Sequence, residues 1–151
     1  MPDENFKNIT VNRKAKHDYF ILQTFEAGIV LLGTEVKACR QGKASLADSY
    51  AVIKNGEVWL MSANIAAYEH GNINNHEPTR KRKLLLKKSE IRKLIHKTQD
   101  KGNALVPLRM YFTRGKVKVE LAVARGKKSY DKRETIAKKD FQRSQERKIK
   151  F

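Results

Sequence analysis

A single cysteine, Cys39, in a chain of 151 residues excludes an internal disulfide and with it the stapled architecture of a small secreted domain. A reducing cytosol is the expected compartment. No apolar run approaches the roughly 20 residues that cross a bilayer, and the N-terminal MPDENFKN lacks the apolar segment of a signal peptide. No stretch pairs a basic face with a strong Trp, Phe and Leu face, so no membrane partner is expected. Catalytic patterns are equally sparse. His17, His70, His76 and His96 have no Cys or His partner at finger spacing. Gly28, Gly33, Gly42, Gly56 and Gly115 form no phosphate-binding loop, and no nucleophile with its base or carboxylate pair stands out. The chain reads as a non-enzyme without metal or cofactor.

Acidic residues are scarce as well: 16 Asp and Glu face 33 Lys and Arg, for a net charge of +17. A merely soluble surface carries about 2 to 8 charges on a small domain, so a polyanion is implied, and nucleic acid is the partner of choice. The cations cluster as Arg13/Lys14/Lys16, Lys37/Arg40/Lys43, Arg80/Lys81/Arg82/Lys83/Lys87/Lys88 and Arg125/Lys127/Lys128. They fall at strand ends and loops, where phosphates can be met, while Tyr19, Tyr68 and Tyr111 are half-buried strand aromatics first and base platforms second. Glu26 and Glu35 are acids beside glycine in a basic region. At Glu35, acceptance from base amino groups and a simple ion pair with a neighbouring Arg both stay open.

Along the chain, residues 1–17 read as a basic arm too poor in apolar residues to fold alone. Tyr19 to Phe25 and Ile29 to Val36 read as two paired strands, followed by a short helix or loop near Val36 to Gly42. Asn55-Gly56 between Tyr50 to Ile53 and Val58 to Met61 marks a hairpin with a type I′ turn. Tyr68 to Lys83 is polar and reads as a loop. Ser89 to Lys101 reads as a helix with Ser89 as N-cap and Gly102 as its stop. Leu108, Met110 and Phe112, then Val117, Val119, Leu121 and Val123, alternate around Arg114-Gly115 as a second hairpin with one face open to water or RNA. The expectation is a mainly β domain over 18–124, with five or six short strands as a small barrel, although strand patterns alone also permit a sandwich. From Arg125 to Phe151 eleven Lys and Arg stand against four Asp and Glu, and the apolar residues make no stripe; this segment reads as a basic tail, disordered when free.

The segments NRKAKHDYF, FEAG, GTEVKACRQGKASLADSYA, EPTRKRKLLL, LVPLRMYF and ARGKKSYDKRE, in this order from Asn12 to Glu134, closely resemble the SsrA-binding protein family. The resemblance implies a closed oligonucleotide-binding-like barrel of about six strands with short flanking helices. It implies a protein that binds the tRNA-like domain of transfer-messenger RNA and delivers it to stalled bacterial ribosomes, in the cytoplasm, for tagging of nascent chains. The tail would then enter the empty mRNA channel and decoding centre and lie against rRNA. Carried over by motif, Glu26, Leu85 and the position of Lys87 contact RNA, Lys87 standing where the family usually has His or Asn. Arg13, Lys14, Lys37, Lys43, Arg125, Lys127 and Lys128 are expected phosphate contacts. Asp131, Lys132 and Arg133 match the segment at the decoding centre, and Phe141 is a candidate for stacking on rRNA. A monomer is expected when free. A ribosomal or general RNA-chaperone protein with a basic barrel is the competing reading.

Overall fold

The structure, a computed structural model, describes residues 6–67 and 75–127. In chain order these form β1 (Phe6–Val11), α1 (Arg13–Asp18), β2 (Tyr19–Ile29), α2 (Gly33–Arg40), β3 (Ala44–Ser45), β4 (Tyr50–Lys54), β5 (Glu57–Met61), β6 (Asn64–Ile65), β7 (Arg82–Leu85), α3 (Lys88–Thr98), β8 (Asn103–Thr113) and β9 (Lys116–Gly126).

Both expected hairpins form, the first for the expected turn chemistry. Asn55 and Gly56 take φ of 53° and 73°, and Arg114 and Gly115 take 50° and 73°, so each two-residue turn has the left-handed pair that matches strand twist. The long β8 carries β9 along one edge, while its other edge is shared by β1, opposite 109–113, and by β4, where Ala51 pairs Leu105. β4, β5, β7, β2 and β9 then continue around to β8, closing a ring of six strands. Closure leaves no open edge among these six and fixes strand alternation around one interior. Val58, Leu60, Leu84, Met110, Val119, Leu121 and Val123 fill that interior, with Ala38 and Cys39 of α2 and Leu94 of α3 packed against them. Burial pushes the Cys39 thiol up to about 11, which leaves it an inert core group.

The first 17 residues are not an arm from Phe6 onward. β1 pairs with β8, and α1 lays Ala15 over Val106, Leu108, Ala122 and Ala124 on the outside of the barrel. Both faces of β8 and β9 are therefore buried here, and the alternation of their sequences lapses. Asn12 fastens the helix: its Oδ1 accepts from the Ala15 N–H at 3.2 Å, and its Nδ2 donates to the Pro107 carbonyl at 2.9 Å. Pro107, with no N–H to give, sits at the bulge in the β8–β9 ladder.

Other boundaries move too. The pair of strands expected over 19–36 is one strand, β2, and a helix, α2: Glu26, Ala27 and Gly28 stay extended because each pairs with β9. Val36 enters a helix because the Leu32 N–H donates to Glu35 Oε1 at 2.8 Å, which starts α2. The same device at Lys87, whose N–H donates to Glu90 at 3.0 Å, starts α3 at Lys88 rather than beyond Ser89, and α3 ends at Thr98. β7 begins at Arg82, inside the expected loop, and β9 runs through Arg125 and Gly126, two residues into the expected tail.

Glu35 is the centre of a buried ionic cluster, which decides between its two readings in favour of the ion pair. Neither Glu35 nor Arg82 has an exposed side chain. Arg82 Nε donates to Glu35 Oε2 at 2.5 Å, and its other nitrogens donate to the carbonyls of Ala63 at 2.9 Å and Pro78 at 3.0 Å. Arg80 Nε reaches the same carboxylate oxygen at 3.1 Å, and its Nη2 pairs with Oε1. Burial would raise the Glu35 carboxyl, but hydrogen bonds from Arg80, the Leu32 N–H and Arg82, with the Arg82 charge, hold it below its ordinary value. The cluster thereby ties α2, the segment after β6 and the start of β7 into one body. Removing one partner strands a buried charge, so Glu35→Gln or Arg82→Met is expected to cost about 3–5 kcal/mol in urea unfolding at pH 7. Since Glu35 is lowered from 4.5, its contribution is complete above that value and vanishes as pH falls below it. Unfolding of Glu35→Gln should accordingly show a shallower loss of stability in acid than the unaltered protein.

Candidate nucleic-acid interface

Strand register assembles the site. Leu85 of β7 lies opposite Gly28 of β2, Gly28 opposite Lys118 of β9, Lys118 opposite Tyr111 of β8, and Tyr111 opposite Asn8 of β1. A second row beside it runs from Glu26 through Glu120 to Arg109. Residues two apart share a face, and this face points away from the core that holds Phe25, Ala27, Met110 and Val119.

Two carboxylates, Glu26 and Glu120, face each other across β2 and β9, a repulsive pairing that needs relief. Arg109 supplies it on one side, with Nε 2.6 Å from Glu120 Oε2 and Nη1 3.2 Å from Asn8 Oδ1. On the other side the Tyr111 hydroxyl donates to Glu26 Oε2 at 2.6 Å. The Arg109 guanidinium lies 4.5 Å from the Tyr111 ring centre and helps to bury it. Burial first, and the Glu26 carboxylate second, push the Tyr111 phenol far above its ordinary range. Glu26 is thus held in orientation while remaining exposed.

Gly28 allows the close approach of its neighbours. A Cβ there would lie 3.3 Å from the Leu85 Cβ and 3.7 Å from Lys118 Nζ. A cleft of about 310 Å³ opens beside it, lined by Gly28, Leu31, Val36, Leu85, Lys116 and Lys118. Leu85 is 50% exposed, and Val30 and Leu32 are nearly as open. An oriented carboxylate, an exposed leucine and two lysines at a shallow cleft suit a ribose and phosphate surface: the carboxylate accepts from hydroxyl or amino groups, the ammonium groups meet phosphates, and the leucine packs on a sugar or base.

The expected contacts do not form one group. Glu26 and Leu85 flank Gly28, and Lys87 follows β7 at the start of α3. Arg125 and Lys127 lie at the other end of β2, where Phe20 pairs Arg125 and Tyr19 pairs Gly126. Eight residues of strand separate Phe20 from Gly28, about 26 Å. There Lys127 Nζ donates to the Lys16 carbonyl at 3.4 Å and lies 5.3 Å from the Phe20 ring, and Arg125 Nε donates to Asn103 at 3.2 Å. Exposed Arg13 and Lys14 belong to the same end, on α1. Lys14 Nζ pairs with Asp48 at 3.2 Å, the hydrogen bond raising its ammonium pKa. Lys37 is exposed in the last turn of α2, and Lys43 is half-buried after it. Two cations of the 80–88 cluster, Arg80 and Arg82, serve Glu35. Lys128, Asp131, Lys132, Arg133, Phe141, and Tyr68 among the aromatics, lie outside the described residues. Among the described residues no group of three or more His, Cys, Asp or Glu is placed to hold a metal ion.

Sequence reasoning missed Lys118, Lys116 and Arg109. The alternation of β9 showed that one side would be open, but only the register shows that this side continues into Glu26 and Leu85.

The family model described as SmpB protein matches residues 9–151. SsrA-binding proteins of Acetivibrio thermocellus and Desulforudis audaxviator are each 59% identical to this chain, over 99% and 95% of it and over 97% and 94% of their own lengths. The SsrA-binding protein of Mycolicibacterium smegmatis is 57% identical over 92% of this chain and 86% of its own. Among solved structures, a chain reported as "tmRNA-SmpB: a journey to the center of the bacterial ribosome" is 53% identical, with a TM-score of 0.66, over 78% of this chain and 82% of that one. With a barrel wall that carries the oriented Glu26, Leu85 and a lysine row, and with relatives this similar along nearly its whole length, the chain belongs to the SmpB family of SsrA-binding proteins.

Proposed function

We propose that this protein binds the tRNA-like domain of transfer-messenger RNA on the β7–β2–β9 wall and delivers it to stalled bacterial ribosomes for trans-translation. The observation that carries the reading is the cross-strand row Leu85, Gly28, Lys118 beside the oriented Glu26. A folded RNA elbow presents backbone and 2′-hydroxyls, and a rigid sheet wall reads such a shape without unwinding it. Lys116, Lys118 and Lys87 meet phosphates, Leu85 packs on an unstacked base or ribose, and Glu26 accepts a hydrogen bond that an unselective cationic surface lacks. The role is binding and delivery, not catalysis, and it places the protein in the cytoplasm with its ribosomes, a monomer when free. In this reading the segment from Asp131, Lys132 and Arg133 to Phe141 enters the decoding centre and the empty mRNA channel, where its positive charge gains counterion release against rRNA.

In gel-shift titrations with the tRNA-like domain, Leu85→Ala is expected to weaken binding about tenfold, the effect of losing one well-placed packing contact. Lys118→Ala should weaken binding and lower the salt slope by about 1. A protein with equal affinity for the tRNA-like domain and for linear RNA of the same length would instead be a general RNA chaperone. Because β9 extends to Gly126, a truncation that keeps the domain intact ends at Lys127. That variant should bind the tRNA-like domain within about threefold of the full chain yet fail to support tagging in a reconstituted stalled-ribosome reaction. Parallel loss in both assays would refute the division between wall and tail.

A further inference from the structure

The ring has a second wall whose surface the proposed function leaves unused. β5 stands across the barrel from β9, separated from it by β4 and β8 on one side and by β7 and β2 on the other. Val58 and Leu60 of β5 are fully buried, so Trp59 between them points outward. Register sets Trp59 beside Val52 of β4 and Lys83 of β7, and Met61 beside Tyr50. Tyr50 is 46% exposed and Val52 37%. A solvated antiparallel wall ordinarily carries polar residues outward, and here the outward residues are Trp, Val, Tyr and Met. The core does not explain them, because the alternate positions already fill it.

Cations rim this patch. Lys81 Nζ lies 5.1 Å from the centre of the Trp59 ring. Lys83 is next to Trp59 and pairs with Glu57 at 3.2 Å, both ends partly exposed, and Lys54 is exposed at the turn of the hairpin. Lys81 and Lys83 thus adjoin the ring, with Lys54 farther along the same hairpin, against the one carboxylate of Glu57. Contiguous exposed apolar surface marks an interaction site, and the charge selects its occupant. A second copy of a chain carrying +17 is repelled. A flat aromatic ring with ammonium groups beside it matches an unpaired nucleobase and its phosphates.

We infer that the outer wall formed by β4, β5 and β7 is a second RNA-binding surface, on which Trp59 stacks on an unpaired base while Lys81, Lys83 and Lys54 hold the adjoining phosphates. The surface accepts single-stranded RNA while the neighbouring β2–β9 side of the ring is free to hold a folded one. The inference does not depend on which RNA occupies the β7–β2–β9 wall.

Trp59 is the only tryptophan of the chain, so intrinsic fluorescence reports this ring alone. Titrating the full-length protein with a single-stranded oligoadenylate is expected to quench that fluorescence saturably. The quench curve should move to higher concentration in Lys81→Ala, with a salt slope lower by about 0.7. Trp59→Leu, checked for an unchanged melting temperature, should bind labelled oligoadenylate about tenfold more weakly by anisotropy, as expected for a lost stacking platform. It should retain its affinity for the tRNA-like domain. Lys81→Ala, an exposed substitution, keeps the test decisive if Trp59→Leu does not fold. No quenching, quenching indifferent to Lys81→Ala, or equal loss of both RNAs in Trp59→Leu overturns the inference. Oligoglutamate that quenches and competes as well as RNA also overturns it, in favour of an acidic protein partner.

Discussion

Register of β2 against β9 is the constraint on which the surface chemistry rests. Side chains alternate with period two, so a slip of one residue would turn Phe25 and Ala27 out to solvent and Glu26 and Gly28 into the core. The pairing is over-determined. Phe25 and Ala27 are the buried residues of β2 and pack in the core, a bulge between Ile21 and Gln23 takes up the stagger near one end, and Tyr111 reaches across β9 to hold Glu26 at the other. Closure of the ring then carries the same register into β7, which is how Leu85, distant in sequence, comes to lie against Gly28.

Excess positive charge on this fold is less available than a residue count implies. Arg80 and Arg82 are directed inward to Glu35, and Arg109 stands between Glu120 and Asn8. These arginines act as structural connectors with planar, multiple-donor geometry, a task lysine does poorly. The lysines on the outer strands do not share that duty: Lys116 and Lys118 border the cleft, and Lys81 lies over Trp59. Guanidinium groups build the platform, and ammonium groups present it to a polyanion.

The sequence was most legible where a single local rule decides. Asn55-Gly56 supplies left-handed turn residues and takes that turn, and the alternation of 117–123 is strong enough to define β9. It was least legible where tertiary partners override local preference. Val36 has a strand former's side chain but lies in a helix because Glu35 caps that helix and is itself drawn inward by two arginines from a segment more than 40 residues away. Residues 6–17 have too little apolar content to fold alone, and they do not fold alone: β8 supplies β1 with a partner, and α1 needs only Ala15 to cover a small apolar patch. Within the site, Glu26 and Leu85 were legible through motif resemblance, whereas Lys118 and Arg109 were not, since their role exists only once three strands are side by side.

A barrel wall reads shape well because it is stiff, and stiffness here is a consequence of closure. Six strands in a ring leave no edge to fray, and the cluster around Glu35 fixes α2 and the approach to β7 from outside the ring. A surface ordered in advance loses little conformational entropy when RNA arrives, so its contacts appear as affinity instead of being consumed by ordering. The extension beyond Lys127 has a composition of the opposite kind, cationic and without an apolar stripe. A cationic segment of that composition gains most where counterions are displaced from a dense array of phosphates, so its contribution scales with the charge of the surface it meets. One chain thus joins a wall that binds by being rigid to a segment whose charge favours the most anionic surroundings. The proposed delivery follows that order: the wall holds RNA first, and the charge of the extension comes into use at the destination.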